Sequence, residues 1–117
     1  MILLLVGIAG AAGAVARYAI SSPFHADALP WATVGINVAG SLLLGILVAS
    51  HTFGEDFRTV VGVGFLGGFT TFSTFTVQAF LDVEAGEPGR AFAYVGASLV
   101  LGFAAAAGGY YLGREIL

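Results

Sequence analysis

Residues 59–81 read TVVGVGFLGGFTTFSTFTVQAFL, 23 positions without a charge. About 20 mainly apolar residues carry a helix across a bilayer, so the run is long enough to span one. Its middle is unusual for such a helix. Gly62, Gly64, Gly67 and Gly68 are followed at once by Thr70, Thr71, Ser73 and Thr74. Glycine costs about 1 kcal/mol against alanine in a helix interior, and Ser and Thr compete for backbone hydrogen bonds. The cluster Gly67, Gly68, Thr70, Thr71 therefore reads as a break in a membrane helix. Non-helical backbone at that depth is tolerated only inside protein or along a cavity, and carbonyls freed by a break can coordinate a small hard cation.

The rest of the chain agrees with a membrane setting. Of 117 residues, 58% are apolar and 9% charged, with a mean hydropathy of +0.96; soluble domains carry roughly 25% charged residues. That excludes a soluble enzyme and a disordered chain. There is no cysteine, hence no disulfide framework, thiol catalysis or cysteine zinc site. The net charge of −3, from four Arg and seven acids, leaves no basic footprint for nucleic acid.

Two further charge-free runs, 28–54 and 91–113, are also long enough to span. The opening segment Ile2–Ile20 is as well, although it contains Arg17. Its start resembles a signal-peptide core but has no basic region before it, so it is read as the first span. The expectation is an all-α membrane protein of four helices near 2–21, 31–51, 58–82 and 90–114, with residues 1–117 as one domain. Loops fall at Ser21–Pro30, His51–Asp56 and the Pro/Gly-rich 82–89. Trp31, Tyr18, Tyr94, Tyr110 and Tyr111 lie towards helix ends, as an aromatic belt would place them. With the N-terminus inside, Arg58 and Arg114 face Arg17 and Arg90 across the membrane. Two against two gives no positive-inside bias. Either so few charges say little, or the chain inserts both ways and pairs with its own inverted copy.

Several polar residues fall inside the spans. Thr33, Asn37 and Ser41 share one face of the second helix. For Thr33 and Ser41, interhelical hydrogen bonding is the simpler account. Asn37 has two donors and two acceptors to satisfy, and faces either a pathway or a structural partner. Arg17 either snorkels to the interface beside Tyr18 or draws anions to a vestibule. Phe72 and Phe75, three apart, would face the same way. Such a stripe is usually packing, but a phenyl ring has a positive edge that can meet an anion without a fixed opposing charge. No carboxylate lies within helices two, three or four, as their charge-free runs show, and proton-coupled transporters generally need one. His25 and His51 make no metal-ligand spacing, and there is no nucleophile–base pair. The chain is not read as an enzyme.

Taken together, these residues resemble the small Fluc (CrcB) fluoride channels. The resemblance rests on Gly10-Ala11-Ala12-Gly13-Ala14-Val15-Ala16-Arg17-Tyr18, on Thr33 through Asn37 to Gly40, and above all on Gly64-Phe65-Leu66-Gly67-Gly68-Phe69-Thr70-Thr71-Phe72-Ser73-Thr74-Phe75. It implies a multi-pass channel of the cell membrane that exports cytoplasmic fluoride passively, as an antiparallel, dual-topology homodimer with two pores. It also implies a central structural sodium ion on the backbone carbonyls of Gly67 and Thr70. Pore roles would fall on Phe72, Phe75, Asn37, Thr33, Ser73 and Ser98, with Arg17 at the vestibule. Two positions depart from the family pattern: Gln78 stands where many members carry Glu, and Gly102 stands one turn after Ser98 where a second Ser is expected. Two other classes compete. A small multidrug-resistance-type exporter would carry a carboxylate in its first helix, where this chain has none. An accessory membrane subunit would need only the packing motifs and would leave Asn37, Phe72 and Phe75 unexplained.

Overall fold

The computed structural model describes residues 1–117. Helix α1 spans Ile2–Ser21 and α2 spans Leu29–Ala49. A short α3, Glu55–Arg58, runs into a π-helical stretch, Thr59–Leu66, and then into α4, Gly67–Phe69. Thr70 (φ −89, ψ 160) and Thr71 (φ −150, ψ 125) are extended. Helix α5, Phe72–Glu84, completes the third segment, and α6 spans Pro88–Ile116. Four segments, 2–21, 29–49, 55–84 and 88–116, are long and apolar enough to cross a membrane. The longest dimension, 48 Å, compares with about 40–45 Å for a bilayer with its headgroups.

The ends of the segments follow local chemistry. Pro30 does not close the first loop, as its position before Trp31 suggests; it sits in the first turn of α2, where its missing N–H costs nothing. Pro88 opens α6 in the same way. Between α5 and α6 the chain turns on Gly86, whose φ of 79° suits glycine. The third connection is shorter than 82–89, because α5 continues through Asp82 to Glu84.

Two close helix pairs make up the bundle: α2 lies along α6, and α1 lies along the π-helical stretch and α4. Small residues set the spacing in both. A Cβ on Gly13 would run into the carbonyl of Phe65, and one on Gly109 into the carbonyl of Leu42. The interior is correspondingly small. Only 19 of 117 residues are buried, so most of the apolar surface is left for lipid or for another subunit. The largest buried side chain is Tyr94, which is fully enclosed. That corrects its place in the aromatic belt: its ring packs against Phe75 and Trp31 at 5.1 and 6.2 Å between centroids, inside the protomer.

Candidate functional site

The third segment changes character at Thr70 and Thr71, and the surrounding hydrogen bonds explain how the backbone tolerates it. Extended backbone in mid-span forfeits helical bonds that no water replaces. Asn37, on α2, supplies two substitutes. Its Nδ2 donates to the Thr71 carbonyl at 3.0 Å, and its Oδ1 accepts the Thr71 N–H at 2.9 Å. The side-chain amide stands in for a neighbouring peptide. Of the two roles open to it from sequence, the structural partner is therefore occupied, while the second Nδ2 hydrogen is left over. Thr71 Oγ1 caps α5 by accepting the Thr74 N–H at 3.2 Å. Thr70 Oγ1 turns back to the Leu66 carbonyl at 2.9 Å.

Arg17 contributes from the other side. Rather than reaching for the interface, it is half-buried and its Nε donates to the Gly68 carbonyl at 3.3 Å. The carbonyl of Thr70 receives no backbone N–H. Asn37, Ser41, Gly62, Gly67, Thr70 and Phe72 line an open concavity of about 290 Å³ on the same face. It contains no charged side chain.

Phe72 and Phe75 are neighbours, with ring centroids 5.8 Å apart and planes at 59°, yet they do not share an environment. Phe75 is 9% exposed and packs on Tyr94, whereas Phe72 is 75% exposed. The i, i+3 spacing brings the rings together but the helix edge separates their burial. Ser73 is also exposed, its Oγ 3.5 Å from Thr71 Oγ1. Thr33 is buried and donates to the Leu29 carbonyl at 3.3 Å. Ser98 Oγ is buried on α6 and has no hydrogen-bond partner.

Sequence reasoning missed a second polar cluster, on the seam between α5 and α6. Tyr94 donates its hydroxyl proton to Gln78 Oε1 at 3.1 Å. One turn from each, Asp82 pairs with Arg90: Nε and Nη2 both lie 3.2 Å from Oδ1. Asp82 is 7% exposed, which corrects the expectation that the last three helices hold no carboxylate. The signal was legible only as a pairing. Arg90, eight residues on and across the Gly86 turn, answers the charge and lets the helix continue past it.

Comparison with known proteins agrees with this architecture. The family described as "CrcB-like protein, Camphor Resistance (CrcB)" matches residues 4–110. A protein of Sphingopyxis alaskensis named fluoride-specific ion channel FluC is 41% identical over 116 residues, covering 93% of this chain and 92% of its own. One of Phenylobacterium zucineum with the same name is 41% identical over 122 residues, with 97% and 96% covered. Bacillus subtilis fluoride-specific ion channel FluC 2 is 42% identical over 112 residues, with 93% and 85% covered. With the match running through all four segments and the Gly–Thr interruption, the chain belongs to the CrcB family.

Proposed function

We propose that this protein is a fluoride-specific channel of the cell membrane, through which cytoplasmic fluoride leaves down its gradient. It is not an enzyme; no bond is made or broken. The observation that carries the reading is a neutral donor set. Asn37 keeps one amide hydrogen, Ser98 keeps a buried hydroxyl without a partner, and Phe72 and Phe75 offer ring edges. Fluoride is small and strongly hydrated, so a path must replace its water with donors at close range. Neutral donors do that without a fixed cation that would trap the ion. The names carried by the matched relatives support the same ion.

One protomer has little interior in which to enclose such a path, so the working unit is an antiparallel homodimer. The exposed Phe72 and the open concavity beside it support this, as does the balance of Arg17 and Arg90 against Arg58 and Arg114. The Gly67 and Thr70 carbonyls would hold a sodium ion on the two-fold axis. They fit the group: no backbone N–H reaches the Thr70 carbonyl, both residues line the concavity, and no carboxylate lines it. Four carbonyl dipoles from two subunits suit a monovalent cation. When bound, the ion would join the subunits and have no part in permeation.

Release of fluoride from proteoliposomes, with chloride as the control anion, tests the function. Fluoride release no faster than from empty liposomes would end the reading.

A further inference from the structure

The seam between α5 and α6 joins the pore donor Ser98 to four polar groups with no part in the permeation described above: Arg90, Asp82, Tyr94 and Gln78. Along α6, Arg90, Tyr94 and Ser98 recur at i, i+4 and i+8, on one face. Facing them on α5 are Phe75, Gln78 and Asp82. The Tyr94–Gln78 hydrogen bond and the Phe75–Tyr94 ring contact close the middle of the seam. The only two buried side-chain polar atoms without a partner, Asp82 Oδ2 and Ser98 Oγ, belong to it. One comes from the Asp82–Arg90 end beside the turn, and the other lies one helical turn beyond Tyr94.

The ion pair at the turn is incompletely made. An Arg–carboxylate pair at its best is a fork on a fork, two nitrogens to two oxygens. Here both nitrogens of Arg90 converge on Oδ1, and Oδ2 is buried with nothing to accept. The Arg90 side chain remains 39% exposed against 10% for Asp82. The guanidinium, with five N–H donors, therefore keeps hydrogens free on its solvent side. A tight structural brace would use both oxygens and bury both partners. This pair holds a cation at the surface while a buried carboxylate cancels its charge.

We propose that Arg90 and Asp82 form the outer anion site of the path: Arg90 receives small anions at the open end of the α5–α6 seam, and Asp82 balances its charge so that the anion is passed on. The proposal rests on the fluoride reading above. Its physical content is a sign. A unit charge at about 7 Å in water changes the local concentration of a monovalent ion about threefold, and the effect fades beyond a Debye length of about 8 Å in 0.15 M salt. Asp82→Asn leaves the mouth one charge more positive, and Arg90→Gln one charge more negative.

The test is fluoride flux in proteoliposomes at low fluoride, at constant pH and two ionic strengths. Asp82→Asn should raise flux about threefold and Arg90→Gln should lower it about as much. The double variant should lie near wild type, and high salt should compress all the differences. If both single variants lower flux, or neither changes it, the pair is only a brace and the proposal falls. Should the single variants fail to assemble, Gly89→Cys serves instead, because a Cβ there meets no atom within 4 Å and the chain has no other thiol. A cationic thiol reagent on the assembled channel should raise flux, and an anionic one should lower it. Equal effects, or none, overturn the proposal. Wild-type liposomes that release no fluoride would instead defeat the channel reading itself.

Discussion

Replacing Asn37 by alanine should cost both stability and flux, and the structure gives the size. The substitution removes two hydrogen bonds of 3.0 and 2.9 Å and strands the N–H and C=O of Thr71. Each stranded group costs about 1–3 kcal/mol when buried. Asn37 and Thr71 are only half-buried, which points to the low end, about 2–3 kcal/mol in total. That corresponds to a shift of about a hundredfold in the population of the extended backbone. Asn37→Asp should do no better, since it keeps an acceptor for the N–H but sets a second acceptor against the Thr71 carbonyl. Thr71→Ala is the useful contrast. It leaves both hydrogen bonds of the clamp in place and removes the hydroxyl that caps α5, about 1 kcal/mol, and donates to Thr74 Oγ1. The two effects should couple, because the clamp and the cap both need the extended backbone at Thr71. Equilibrium unfolding in detergent and fluoride flux in liposomes read the two quantities. Wild-type stability with reduced flux in Asn37→Ala would refute the clamp and leave Asn37 as an ion ligand only.

Phe72→Ile should abolish flux at almost no cost in protomer stability, since the ring is largely exposed, whereas Phe75→Ile should also lose about 1–2 kcal/mol of packing against Tyr94; unchanged flux in both would return the rings to packing. Single cysteines at Glu87, in the turn before α6, should label from both faces of the membrane if the chain inserts both ways, and exclusive labelling from one face would rule that out. Removing sodium should weaken the dimer, by an amount that follows mass action on the ion, and thallium should give an anomalous peak on the two-fold axis. Sodium-independent dimerisation would leave the Gly67 and Thr70 carbonyls as a packing device.

Much of this was legible because membrane burial writes itself plainly in sequence. Three charge-free runs and the apolar opening segment marked four spans, and the two extended residues of the third segment, Thr70 and Thr71, follow Gly67-Gly68. What escaped were pairings between segments. Asn37 and Thr71 lie 34 positions apart, and nothing local tells an amide that bonds to main chain from one that faces a pathway. Arg17 stood open between the interface and a vestibule, and its hydrogen bond to the Gly68 carbonyl went unread, because a carbonyl partner has no sequence signature. Tyr94 lies near a helix end in sequence, but α6 begins two residues earlier than expected and the ring turns inward onto Phe75. Asp82 looked like a loop residue because a lone carboxylate ends an apolar run; Arg90 across the turn is what lets the helix carry it inward.

The side-chain clamp also sets an order of events during synthesis. The polar backbone at Thr70 and Thr71 cannot be discharged by neighbours in its own segment; its partner, Asn37, sits on a helix made earlier. When the third segment leaves the ribosome, α2 has already been made, and its amide is available to the newer segment. A permuted gene that delivered residues 59–84 before α2 would send that backbone into lipid bare. The segment would then settle as an uninterrupted helix, with its carbonyls spent on itself.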